Sequence, residues 1–163
     1  MNTSKLLYKT NSSKQTKKLA SILASVIANQ RRVNLKNALV FALTGDLGTG
    51  KTTFIQGFLR GLRIKKKITS PTFVLIKKFV IRVNPRINPR KSATVYHIDC
   101  YRIKKASELL KIGLREIFNN PQNIIFIEWA EKIKKFLPKN TIWIKFKHGE
   151  KINQRTIEFY NKS

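Results

Sequence analysis

The chain has 163 residues, 34 Lys and Arg against 8 Asp and Glu, a formal charge of +26 and 42% hydrophobic residues. Its longest apolar runs fall far short of the roughly 20 residues needed to span a bilayer, and the N-terminal MNTSKLLYKTNSSKQTKK has no apolar leader core. A lone cysteine, Cys100, excludes an internal disulfide, so the composition predicts a globular cytoplasmic protein, one domain over residues 1–163, with no membrane association, and the elements that follow along the chain make that domain α/β.

Ser12 to Gln15 forms an S-x-x-Q capping box. Leu19, Ile22, Leu23, Val26 and Ile27 then recur at helical spacing, which predicts an amphipathic helix ending near Asn29. Residues 34–37 read as a connector. ALVFALTG, residues 38–45, is a continuous apolar run of strand length, the pattern of a strand buried on both faces. A glycine-rich turn leads into TTFIQGFLRGL, a helix with Phe54, Ile55, Phe58, Leu59 and Leu62 on one side. KKK at 65–67 reads as a solvated turn. SPTFVLIKKFVIRV reads as a strand, and ATVYHIDC as its returning partner in a hairpin. The turn-rich, basic NPRINPRKS (84–92) forms the hairpin tip.

KKASELLKIGLREIF reads as helix, broken or re-capped at Gly113. NIIFIEW is a second buried strand, AEKIKKFL a short helix ended by Pro138, and RTIEFY a last strand. TIWIKFKH alternates strictly, with Ile142, Ile144 and Phe146 on one face and Trp143, Lys145 and Lys147 on the other. The C-terminal strands are expected to pair antiparallel.

Residues 45–52, GDLGTGKT, fit G-x-x-x-x-G-K-[ST] at every fixed position, between an apolar strand and a helix. Glycines let successive backbone N–H groups turn toward one anion, and the helix that starts at Lys51 adds its own free N–H groups. In this motif Lys51 reaches the β- and γ-phosphates, the Thr52 hydroxyl ligates Mg²⁺, and Thr53 faces the α-phosphate. Hydrolysis also needs an acid at the carboxyl end of a neighbouring strand. Glu128, after IIFI, and Asp99, after VYHI, are the two candidates. His97 shares a face with Asp99 if the strand is regular and reads as a packed or hydrogen-bonded ring. Cys100 reads as core. Trp129 fits either packing or a stacking contact with a base or partner.

GDLGTGKTTF, SPTF, VYHIDCYR, ELLKIGLREIF and FIEWAE, in this order over about residues 38–135, resemble the bacterial ATPase family of tRNA threonylcarbamoyladenosine biosynthesis, TsaE or YjeE. The resemblance implies a P-loop NTPase-like, three-layer α/β domain with a mixed central sheet flanked by helices. It also implies an ATPase using ATP and Mg²⁺ that serves a tRNA-modifying complex, made of a threonylcarbamoyl-transferase subunit and its inactive paralogue. That complex modifies N6 of adenosine 37 in tRNAs reading ANN codons, so tRNA would be reached indirectly. By position, the family's nucleotide-binding residues fall on Gly48, Thr49, Gly50, Lys51, Thr52 and Thr53. Its Mg²⁺ ligands fall on Thr52 and Glu128, and its H-x-D acid on Asp99. Lys51, Asp99 and Glu128 would form the catalytic set. Ser70 and Thr72 match an S-P-T switch segment, and Trp129 matches the tryptophan after the acid. Ser13 near the first helix start and Arg155 near the last strand align with further nucleotide contacts. The chain departs from the family in carrying Cys100 where leucine is common, and in a longer, more basic 84–92 loop.

Two rivals belong to other classes. A small-molecule kinase would share the phosphate loop but needs an acceptor site and a lid, where residues 68–102 read as a hairpin. A nonenzymatic basic RNA-binding protein is suggested only by the charge. Lys, Ile and Asn are abundant along the whole chain, as A/T-rich coding would produce, and the basic residues follow no single stripe. The charge therefore bears on encounter with RNA, not on chemistry.

Overall fold

The computed structural model describes residues 5–30, 36–64, 76–82, 92–103, 107–110 and 113–161. Seven strands form one sheet: β1 (Leu6–Thr10), β2 (Leu39–Thr44), β3 (Ile76–Arg82), β4 (Ser92–Asp99), β5 (Asn123–Glu128), β6 (Ile142–His148) and β7 (Arg155–Asn161). Their spatial order is β1-β7-β6-β2-β5-β4-β3. The central four, β6, β2, β5 and β4, are mutually parallel. Antiparallel pairs close both sides, β3 against β4 and the β6-β7-β1 meander. The sheet is thus mixed, as expected. The antiparallel C-terminal pairing is found between β6 and β7, but β6 also runs parallel to β2 and joins the two halves.

Every residue of β5 is buried, and so are the four central residues of β2. This explains why their sequences are unbroken apolar runs: a parallel strand between two helical layers has no wet face. Alternate residues feed two cores. On one face Phe41, Leu43, Ile124, Phe126, Ile144 and Phe146 pack under α1 (Ser13–Gln30) and α2 (Lys51–Gly61). Phe126 lies 4.9 Å from the Phe41 ring and 4.6 Å from that of Phe58. On the other face Val40, Ala42, Ile125, Ile127 and Trp143 pack under α3 (Ser107–Leu110), α4 (Leu114–Asn119) and a 3₁₀ segment, Ala130–Phe136. The result is three layers, helices on both sides of the sheet.

The capping box of α1 forms with a shift. Ser12 Oγ accepts the Gln15 N–H at 3.2 Å, but Gln15 Oε1 reaches past the cap to the Asn11 N–H at 2.7 Å. Between α1 and α2 the backbones approach so closely that a Cβ on Gly57 would press on the Lys17 carbonyl oxygen and lie 2.5 Å from its Cα. Only glycine fits there.

The structure adds a strand that the sequence reading lacks and refines two expectations. β1 carries no sequence signal, because Leu6, Leu7 and Tyr8 are all exposed. An edge strand held by backbone pairing, Leu6 opposite Phe159 through Thr10 opposite Arg155, shows no buried alternation to read. The AEKIKKFL helix is a 3₁₀ segment with non-helical backbone at Ile133 (φ −122, ψ 19). Trp143 shares the outer face of β6 with Lys145 and Lys147, yet it is buried and stacks with Tyr160 at 6.4 Å while both lysines are exposed. The break at Gly113 (φ 76) separates α3 from α4.

Candidate functional site

The parallel strands β2, β4 and β5 end side by side, and the site gathers at their carboxyl ends, where open α/β sheets place ligands. Register sets Asp99 at the end of β4 directly opposite Glu128 at the end of β5, with Leu43 opposite Glu128 on its other side. Glu128 follows Ile124 and Phe126 in parity, so it points to the α2 side of the sheet.

The glycine-rich loop joins β2 to α2. A side chain on Gly45 would collide with the carbonyl oxygen of Phe146 on β6. Gly50 caps α2 in the left-handed region (φ 98). Lys51 folds back under the loop, its Nζ donating to the carbonyl oxygens of Gly45 (2.6 Å) and Asp46 (2.8 Å). The same ammonium lies 4.2 Å from the centre of the Trp129 ring, a cation–π contact. Burial lowers the Lys51 pKa, and Glu128, Glu131, Asp99 and Asp46 act against that shift. Four of the chain's eight acidic residues thus act electrostatically on one lysine in a strongly basic chain.

Thr52 Oγ1 donates to both oxygens of Glu128, at 2.8 and 3.1 Å. His97 Nε2 lies 2.8 Å from Glu128 Oε1. Glu128 is 3% exposed and His97 fully buried. The Asp99 carboxylate accepts the Tyr101 N–H at 2.9 Å. Trp129 sits in a left-handed backbone turn (φ 57), which takes the chain out of β5 and packs its ring against Tyr101, centroids 5.1 Å apart. Lys132 Nζ hydrogen-bonds the Tyr101 carbonyl oxygen.

Beside the loop opens a cleft of about 210 Å³ lined by Ser12, Ser13, Thr16, Gly48, Gly50, Thr53, Asn153 and Arg155. Its walls come from the start of α1 and the turn between β6 and β7. Arg155 ties that turn to the loop, donating to Gly48 O at 3.2 Å as well as to Ile152 O and Gln154 O. Thr10 and Thr16 share a buried 2.8 Å hydrogen bond that fixes the α1 start to β1.

The structure therefore brings Lys51, Thr52, Glu128 and Asp99 to one end of the site, and Ser13, Gly48, Gly50, Thr53 and Arg155 to the other. Thr49 is buried in the loop, with its hydroxyl (2.7 Å) and its backbone N–H (3.4 Å) both donating to Asp46 O. Ser70 and Thr72, the 65–67 turn and residues 84–91 lie outside the described residues. Cys100 is core, its thiol pushed up to about 12 by burial. Sequence reasoning marks Ser12 only as a helix cap and does not single out Thr16 or Asn153. The first two stand within one helical turn of Ser13, a spacing that marks them; Asn153 leaves no signal, lying in a turn placed by strand pairing. Nor does it connect His97 with Glu128, which only the β4–β5 register reveals.

The paired oxygens of Thr52 and Glu128 are the hard donors that Mg²⁺ takes, and a Mg²⁺ site draws on few protein groups and fills the rest with phosphate and water. The donor set thus fits the cation, and the free N–H groups at the start of α2 fit a phosphate chain.

Residues 10–157 match the family model described as threonylcarbamoyl adenosine biosynthesis protein TsaE. The chain is similar to the tRNA threonylcarbamoyladenosine biosynthesis protein TsaE of Bacillus subtilis, 35% identical over 154 residues, covering 94% of this chain and 84% of that one. It is also similar to the protein of the same name from Rickettsia prowazekii, 37% identical over 138 residues, 84% of this chain and 83% of the relative. Among solved structures, the crystal structure of Bacillus subtilis YdiB superposes with a TM-score of 0.74 at 29% identity, covering 100% of this chain and 89% of that one. The fold is P-loop NTPase-like, and the chain belongs to the TsaE family.

Proposed function

We propose that this chain, acting as a single domain over residues 1–163, is a Mg²⁺-dependent ATPase required for threonylcarbamoyl modification of tRNA. It acts on the transferase complex, the transferase subunit and its inactive paralogue, and meets tRNA through that complex. The observation that carries the reading is the Thr52–Glu128 pair, 2.8 Å apart beside a lysine held under a glycine loop. Thr52 and Glu128 would hold Mg²⁺, which when bound neutralises charge on the phosphates. Lys51 would keep two of its hydrogens on the loop carbonyls and offer the third to phosphate. The backbone N–H groups of residues 48–53 would cradle the chain of phosphates. Asp99, beside Glu128 in register, would orient water and accept its proton. Ser13 and Arg155 would wall the nucleoside end of the cleft. Ser70, Thr72 and Trp129 are the candidates for sensing the γ-phosphate and passing its state to a partner.

Family membership favours this reading over a metabolite kinase or a nonenzymatic RNA-binding protein. The test is a phosphate-release assay on the purified chain, with and without the transferase pair, joined to retention of that pair with ATP against ADP. We expect slow, Mg²⁺-dependent release and nucleotide-dependent retention. Nucleotide binding indifferent to Mg²⁺, or phosphate transfer to a metabolite in place of hydrolysis, would overturn it.

A further inference from the structure

His97 is fully buried on β4, and among the described residues only one of its two ring nitrogens has a hydrogen-bond partner. Nε2 lies 2.8 Å from Glu128 Oε1; Nδ1 is buried with no hydrogen-bond partner among the described residues. A carboxylate only accepts, so the hydrogen between the two groups is carried by Nε2. A buried polar atom without a partner costs stability, and an aliphatic side chain at this strand position, opposite Phe126 and on the Val95 face, would avoid that cost. What the imidazole supplies, and an aliphatic residue cannot, is the Nε2–H.

The target of that hydrogen is also specific. Glu128 already receives the Thr52 hydroxyl across both oxygens. One donor leaves a carboxylate free to swing about its last torsion. Two donors from different directions, one from α2 and one from β4, fix the plane of the group. We infer that His97 is a positioning residue, which holds the Glu128 carboxylate in the orientation that, together with Thr52, receives the divalent cation of a bound nucleotide. It touches neither nucleotide nor cation. This rests on the Mg²⁺ site proposed above, and it explains why H-x-D places a histidine two residues before Asp99: the regular strand puts both on the α2 side, with His97 one step deeper, behind Glu128.

Two measurements test it. The chain has two histidines, so ring ¹⁵N spectra of the intact wild-type protein resolve each. The Nε2–H tautomer is expected for His97, and the Nδ1–H tautomer would overturn the proposal without any variant. The second is calorimetric titration of ADP with and without Mg²⁺ on His97→Gln, which keeps an N–H near the reach of Nε2, and His97→Asn, whose amide reaches only as far as Nδ1. Removing a partner that orients a metal-binding carboxylate costs about 10-fold or more in metal affinity, so His97→Asn should raise the half-saturating Mg²⁺ by about 10-fold while His97→Gln stays within about 3-fold of wild type. Equal behaviour of the two variants would leave His97 a packing residue and sink the proposal, with the metal site intact. If wild-type ADP affinity ignores Mg²⁺, the metal site itself fails and the proposal with it.

Discussion

At the Glu128 end of the site the polar groups are buried and meet one another: Thr52 and His97 on Glu128, Lys51 on two carbonyls and a tryptophan face. At the Ser13 end the groups line an open cleft, and the tie between the β6–β7 turn and the glycine loop, Arg155 to Gly48 O, is a long 3.2 Å contact at the surface. Both ends are assembled from separate parts of the chain. The first is closed by the parallel sheet, whose strands β2, β4 and β5 deliver side chains in fixed register. The second is closed by the β6–β7 turn leaning on a helix start. Charges act far more strongly where water is excluded, so the buried end should carry the chemistry and the open end should grade affinity.

The sharpest way to break that contrast is Lys51→Ala. It removes the cation proposed to face the phosphates, and loss of such a preorganised donor costs about 10²- to 10³-fold in turnover; steady-state phosphate release would show it. Unchanged turnover would mean the buried end is structural only. Next comes Glu128→Ala. Removing this acid should lower Mg²⁺-dependent turnover by about 10- to 100-fold, seen as a rise in the Mg²⁺ needed for half-maximal rate. Near wild-type behaviour would take Glu128 out of the metal site.

A stability effect follows in size. Gly57→Ala forces a Cβ into the Lys17 backbone, and overpacking of this kind costs about 1–3 kcal/mol. Urea unfolding would measure it, and a neutral result would show that α1 can back away from α2. The smallest effect sharpens the other side of the comparison. Arg155→Ala deletes hydrogen bonds worth about 1 kcal/mol net, which should weaken ADP binding about 2- to 10-fold with little change in turnover at saturating ATP. A large fall in the saturated rate would move Arg155 into the chemical end.

The same contrast separates what is legible in the amino-acid sequence from what only folding brings together. Lys51 and Thr52 are legible because a phosphate loop is local, with its residue types and spacing set within eight positions. Glu128 and Asp99 are legible as acids ending apolar runs, since a parallel strand marks its own carboxyl end. The partnership of His97 with Glu128 is not, because it depends on the register of two strands some thirty positions apart and on which way a fully buried ring turns. β1 is invisible for the opposite reason: its outer residues are exposed, so backbone pairing with β7 defines it without a hydrophobic pattern. Asn153 and Thr16 enter the cleft through the fold's closure, far from the motif that names it.

The seam between α1 and α2 has a mechanical reading. Gly57 sets the Lys17 backbone directly against α2, and Gly61 does the same for Ser21, one turn further along. Closely packed protein yields little to compression, so the two helices behave as the arms of a fixed caliper. One arm begins at Ser13 and the other at Lys51, and the gap between their tips is set by atoms more than a full helical turn away. Small loosening at the seam would open the tips, and nucleotide affinity would then report on a joint that no nucleotide touches.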